Sequence, residues 1–300
     1  MTEEQKGQQE LDELLNVLDL ERIENNIYRG IGPQVKPQRV FGGQVAGQAL
    51  VAAGRTTDSS RKVHSLHGYF VRPGDSRKPI VYEVEPIRDG RSFSVRRVSA
   101  IQDGKTIFFM SVSFHVGEEG LEHAEPMPKD VPNPRDLPPL STHAEKIPNW
   151  IDIWPSVPGP IDMRYVGSSG FVPSGQRPPS LEQRVWMRAD GKLPDDQLLH
   201  VCILTYVSDL TLLDSVLNRH GQVWGAEGYG GTSLDHALWF HRHFRADEWF
   251  LYDSMSPSAA SGRGLARGQF FTENGDHIAT AVQEGLLRRA PQGWRNVNKA

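Results

Sequence analysis

The sequence predicts an α+β protein made of two copies of one unit, each a long apolar helix followed by antiparallel strands. Three observations carry this prediction. Phe70-Val71-Arg72 and Phe240-His241-Arg242 lie 170 positions apart (242 − 72), and the turns Gly104-Lys105 and Gly275-Asp276 lie 171 apart (275 − 104). Helix starts are read near Phe41 and near Asp209, at about the same separation. Asp103-Gly104 and Asn274-Gly275 are two-residue hairpin signals, each set between alternating strands.

The elements follow in order. Leu11, Leu14, Leu15 and Leu18 have the i, i+3, i+4, i+7 spacing of a helix that buries one face. A first block, 1–116, then holds strands at about 80–88, 92–102 and 105–116. Residues 117–179 are rich in proline and poor in apolar runs, and read as a connector with one docked element around Trp150–Trp154. The second block, 180–289, carries the matching strands at about 249–256, 262–272 and 277–287, and 290–300 reads as a frayed tail. Ahead of those strands, the β-branched run from Leu199 to Val207 reads as a buried strand. It gives way at Ser208-Asp209 to apolar residues at helical spacing. An acid at such a junction is either a helix cap or a carboxylate held beside unpaired backbone N–H groups.

Bulk properties narrow the function. A chain of 300 residues suits one large domain or two, and 38% hydrophobic with 23% charged residues is an ordinary globular balance. The formal net charge of −4 gives no reason to expect nucleic acid or an anionic membrane as partner. The single cysteine, Cys202, excludes an intramolecular disulfide and fits a reducing compartment; inside an apolar run it reads as an inert thiol. No run is expected to reach the roughly eighteen apolar residues of a membrane span. The polar, acidic start and the ending Val297-Asn298-Lys299-Ala300 carry no secretory or peroxisomal signal, so the cytoplasm is the expected compartment.

Several chemistries find no support. Gly167-Ser168-Ser169-Gly170 lacks the spacing of a Gly-x-Ser-x-Gly nucleophile elbow. His236, His241 and His243 have neither His-Glu-x-x-His spacing nor cysteine partners, so no metal is expected. Asp235-His236 invites a triad or hydratase reading, but neighbouring strand residues point to opposite faces and do not readily meet one substrate.

The run from Leu199 to Leu213, Ser233-Leu234-Asp235-His236-Ala237-Leu238-Trp239-Phe240-His241-Arg242 and Ala279-Thr280-Ala281-Val282-Gln283-Glu284-Gly285 together resemble the acyl-CoA thioesterase II family. The first block adds Val40 to Leu50, His64 to Asp75 and Asp89 to Val98, so the resemblance covers roughly residues 10–290. It implies a double hotdog fold, two helix-in-sheet repeats in one chain. It also implies hydrolysis of medium- to long-chain fatty acyl-CoA to free acid and coenzyme A, with no cofactor, by a homodimer or larger homo-oligomer. Its catalytic carboxylate, hydroxyl and amide fall on Asp209, Ser233 and Gln283.

Those residue types suit the chemistry. A thiolate leaving group, with a conjugate acid near ~8.5 in the cysteine analogue, departs without obligatory protonation. A water held by a base, and donors aimed at the carbonyl oxygen, are then sufficient. Many family members carry threonine at the hydroxyl position, so Thr232 rivals Ser233. On a strand Gln283 would share a face with Ala279, Ala281, Gly285 and Leu287, which leaves room for a water or acyl chain; a cross-sheet hydrogen bond is the alternative. Gly42-Gly43-Gln44 offers backbone N–H groups at a helix start, or else close helix–sheet packing. Arg72, Arg91, Arg96, Arg97, Arg242, Arg263 and Arg267 are available for the coenzyme phosphates, and Phe70, Trp239 and Phe240 for an acyl tunnel or the core. The first block lacks an acid opposite Asp209, so one carboxylate site per chain is expected. Two rival functions are an enoyl-CoA hydratase on the same fold and a non-catalytic acyl-CoA binding protein.

Overall fold

The computed structural model describes residues 2–32, 39–140, 142, 159–167, 178–225 and 228–289. The element expected at Trp150–Trp154 and the tail at 290–300 lie outside the described residues. The chain opens with α1 (Glu3–Leu18), capped by Thr2 and Gln5 in a capping box, with Leu11, Leu14 and Leu18 buried as the spacing requires. Then come β1 (Glu21–Glu24), β2 (Ile27–Gly30), α2 (Gly42–Gly54), β3 (Lys62–Phe70), β4 (Ile80–Asp89), β5 (Phe93–Gln102) and β6 (Lys105–His115). The second half supplies β7 (Ile161–Val166), β8 (Glu182–Ala189), α3 (Gln197–Thr211), α4 (Asp214–Asn218), β9 (Tyr229–Ser233), β10 (Asp235–Phe240), β11 (Phe250–Ala260), β12 (Arg263–Thr272) and β13 (His277–Arg289).

All the strands join one antiparallel sheet in the order β1-β2-β4-β5-β6-β3-β10-β13-β12-β11-β8-β7, with β9 pairing to β13. The order reads the same from either edge once each strand is replaced by its counterpart in the other half. At the centre β3 pairs with β10, and His67 faces Ala237 across the join, 170 positions on (237 − 67). A pseudo-two-fold axis therefore passes between these two residues. The helices α2 and α3 pack against each other inside the sheet, which makes the fold a double hotdog. Strand interiors alternate between buried and exposed residues, as in β5, because the sheet has one face on the helices and one on solvent.

Several expectations need correction. The run from Leu199 to Val207 is helix, not strand: it is the body of α3, with Val201, Cys202, Ile203, Leu204 and Val207 buried and Leu199 and Tyr206 partly so. A helix buried over most of its surface loses its amphipathic period, so a β-branched core helix imitates a strand in sequence. Asp209 consequently lies in the last turn of α3 rather than at a helix start, and Cys202 lies buried in the helix, its thiol pKa pushed up by desolvation. Asp103-Gly104 forms the expected two-residue hairpin, with both φ angles positive at 49° and 69°. At Asn274-Gly275 only the glycine is left-handed, with φ 92°. Thr272 N–H bonds to Asp276 O at 2.9 Å, closing a three-residue loop instead.

The 117–179 segment contributes β7 to the sheet and lays Met127, Val131 and Leu137 against Trp186, Trp249, Leu251 and Phe271 on the outer face. The run 197–218, α3 with α4, is long and apolar enough to cross a membrane, contrary to the expectation of no such run. Its residues are instead mostly buried as the core of the second half.

Candidate active site

The three polar residues expected to act together meet at one carboxylate. Asp209 Oδ1, at the end of α3, accepts hydrogen bonds from Ser233 Oγ at 3.0 Å and from Gln283 Nε2 at 2.5 Å. The partners come from three separate elements. Ser233 ends β9, and Gln283 sits on the inner face of β13, fully buried, with Ala279, Ala281, Gly285 and Leu287 on the same face. Thr232 is exposed and pairs with Leu286 on the neighbouring strand, so the hydroxyl that reaches Asp209 is that of Ser233.

The bonding pattern fixes the orientation of each group. A carboxylate only accepts, so the Gln283 amide must turn its nitrogen to Asp209 and its oxygen away. That oxygen is buried and has no partner among the described residues. Buried acceptors are rarely left so, and an unpaired one marks a place for a donor such as water. Asp209 Oδ2, free of hydrogen bonds among the described residues, faces Gly42. A methyl group at Gly42 would lie 2.6 Å from Oδ2 and 3.0 Å from the Phe70 ring. Glycine thus keeps open the space between carboxylate, aromatic ring and the start of α2.

The electrostatics favour that arrangement. Among the described residues helix α2 has no side-chain cap, and its first turn holds no acid, so its positive dipole end at Gly42 borders this space without another compensating charge. Asp209, from the other half of the molecule, supplies the negative charge. The adjoining close packing is between helices rather than helix and sheet: a Cβ at Gly43 would lie 2.3 Å from Tyr206 O.

Other candidates separate. Asp235 and His236 do point apart. Asp235 accepts from Glu284 N at 2.7 Å and pairs with His67 Nε2 at 3.1 Å, tying β10 to both neighbours. His236 is buried beneath α3. Among the described residues no group of three or more His, Cys, Asp or Glu could hold a metal. Arg96 leaves the set of phosphate candidates, being buried and bound to the Thr56 hydroxyl at 3.0 Å and carbonyl at 2.9 Å. Trp239 is 42% exposed and lies on the outer face of β10, away from the helices, whereas Phe70 and Phe240 pack against the core. Sequence reasoning missed Ser208, whose hydroxyl holds His236; a serine inside an apolar run was the available signal.

Comparisons with known proteins identify the family. Residues 33–115 match the family described as acyl-CoA thioesterase N-terminal domain, and 171–286 match that described as acyl-CoA thioesterase. Acyl-CoA thioesterase 2 of Haemophilus influenzae is 37% identical over 287 residues, covering 93% of this chain and 98% of that protein. Human acyl-coenzyme A thioesterase 8 is 38% identical, covering 92% of this chain and 89% of its own. The crystal structure of an acyl-CoA thioesterase II from Mycobacterium marinum is 44% identical, with a TM-score of 0.75, covering 94% of this chain and all of that one. With both halves matched and a carboxylate, hydroxyl and amide converging where the halves meet, the chain belongs to the acyl-CoA thioesterase II family and is a thioester hydrolase acting on acyl-CoA.

Proposed function

We propose that the protein hydrolyses medium- to long-chain fatty acyl-CoA, with Asp209 as general base and Ser233 and Gln283 holding it and the attacking water. The observation that carries this is the shared carboxylate, bonded through Oδ1 to both partners while Oδ2 stays open toward Gly42. A water there donates one hydrogen to Asp209 Oδ2 and the other to the unpaired Gln283 oxygen, leaving a lone pair for the thioester carbon. As the new C–O bond forms, Asp209 takes the water proton. The N–H groups at the start of α2 stabilise the charge on the carbonyl oxygen. Collapse expels the coenzyme A thiolate, which recovers the proton from Asp209, so acyl-CoA and water yield fatty acid and free thiol. Phe70 beside the opening gives the acyl chain an apolar wall.

The same reading treats 1–116 and 180–289 as the two hotdog units, the segment 117–179 joining them and adding β7 to the second, working in the cytoplasm as a homodimer or larger assembly. Tyr69 and Trp239, exposed on the outer faces of β3 and β10, supply an apolar surface for association.

The test is free-thiol release from a saturated acyl-CoA series including palmitoyl-CoA, run beside Asp209→Ala with fold checked by circular dichroism. Turnover rising with chain length and falling at least ~10²-fold in the variant supports the reading. Unchanged turnover in the variant removes Asp209 from the mechanism. Tight binding without thiol release points to an acyl-CoA binding protein, and consumption of enoyl-CoA without thiol release to a hydratase.

A further inference from the structure

We infer that His236 is a positioning residue for hydrolysis, fixing Asp209 by donating its Nε2 proton to Ser208; this rests on the reading of Asp209 as base. Ser208 Oγ lies 2.8 Å from Thr205 O and 2.7 Å from His236 Nε2. A carbonyl only accepts, so the single hydroxyl proton goes to Thr205, and His236 must be the donor in the second bond. Its neutral Nε2–H tautomer is thereby set, and burial keeps the ring neutral by lowering its pKa. The carbonyl of Ser208 is held separately, by the Tyr252 hydroxyl at 3.0 Å. The residue immediately before Asp209 is thus clamped at both side chain and backbone, in the last turn of α3.

The other half of the molecule shows which clamp belongs to the fold and which to the site. The N-caps of α2 and α3, Phe41 and Asp196, are 155 positions apart (196 − 41), and the central strands are offset by 170. These offsets match Tyr252 with Tyr82, His236 with Leu66 and Ser208 with Ala53. The tyrosine is present in both halves, and Tyr82 also anchors a helix, through Gln48 Oε1 at 2.7 Å. The His–Ser pair occurs only in the half that carries the carboxylate. Packing does not explain it. His236 Nδ1 is buried without a partner among the described residues, a cost that leucine at the same position avoids.

The experiment compares His236→Leu, His236→Gln, and His236→Leu combined with Ser208→Ala, all in the full chain, by kcat and KM for palmitoyl-CoA and by Tm. The double variant copies Leu66 and Ala53 and leaves no buried polar partner behind, so it folds even if the single variant does not. Expected is a fall in kcat of about tenfold or more with KM nearly unchanged and Tm level or raised. Glutamine, whose amide can reach Ser208, restores much of the rate, and the double variant is no slower than the single one. Wild-type kcat in His236→Leu or in the double variant overturns the inference, as does a kcat loss that tracks a fall in Tm. Asp209→Ala is measured alongside. If it retains turnover, the base assignment fails and the inference with it; if it is inactive while His236→Leu is fully active, only the inference fails.

Discussion

The two halves of the sheet share their strands and differ in what they enclose. In the second half the inner face and helix carry Asp209, Ser233, His236 and Gln283. The helix offset of 155 matches Asp209 with Gly54, the strand offset of 170 matches Ser233 with Val63 and His236 with Leu66, and the hairpin offset of 171 (275 − 104) matches Gln283 with Val112, the partner of Leu66. The strand pairings support this match, since Val63 faces Phe114 and Ser233 faces Gly285, and both are followed by a break in register. In the first half the space opposite Gly54 is filled, for a Cβ there would lie 2.4 Å from Leu198. The comparison teaches that the first half carries glycine or apolar residues at the matching positions and lends the other half its helix start at Gly42 and the Phe70 ring. A single chain therefore builds one polar site from two repeats, and neither repeat holds it alone.

The strongest way to break the comparison is to graft the first half onto the second. Replacing Asp209, Ser233 and Gln283 by Gly, Val and Val is expected to lower kcat by at least ~10²-fold. In the proposed mechanism the three act on one water, so Asp209→Gly alone should approach the full loss in a thiol-release assay. Retention of activity by the graft would place the reaction elsewhere.

A smaller effect tests what the first half lends. Gly42→Ala puts a methyl group 2.6 Å from Asp209 Oδ2, so kcat should fall by about tenfold with Tm little changed. The same change at Gly43 meets a backbone carbonyl and should instead lower Tm by forcing the helices apart. Gly54→Asp, which restores an acid to the first half, should create no second site. The carboxylate meets the Leu198 side chain, and the expected outcome is a loss of about 1–3 kcal/mol in denaturant unfolding with unchanged kcat.

The smallest effect is a difference in acid sensitivity. Burial lowers the pKa of His64 in the first half, but of His200, His236, His241 and His277 in the second, with His241 brought to about 4. The unfolded chain takes up these protons near the ordinary value of about 6.5, and the folded chain only at lower pH. Stability is therefore full above about 6.5 and declines as pH falls, until the folded groups protonate as well. Hydrogen exchange at pH 7 and pH 5, corrected for intrinsic rates, should show β10–β13 losing more protection than β3–β6. Equal loss in both halves would remove the asymmetry.

Much of this protein was legible in its residues. The strand offset of 170, the Asp103-Gly104 hairpin and the alternation of β4, β5, β6, β12 and β13 are local patterns, and side-chain periodicity encodes them directly, whereas the helix starts lie 155 apart and not at the separation read from Phe41 and Asp209. The motifs around Asp209, Ser233 and Gln283 also marked the three polar groups that the fold brings together, though 24 and 74 positions separate the latter two from Asp209. Tertiary structure decided the rest. Burial over most of its surface erased the helical period of α3, so only the enclosing sheet reveals Leu199–Val207 as helix. Only the packing of α2 on α3 sets Gly42 beside Asp209, because that contact depends on the crossing of two elements and not on any local pattern. The choice of Ser233 over Thr232 was likewise made by strand pairing: one residue of register turns a side chain from solvent to the carboxylate.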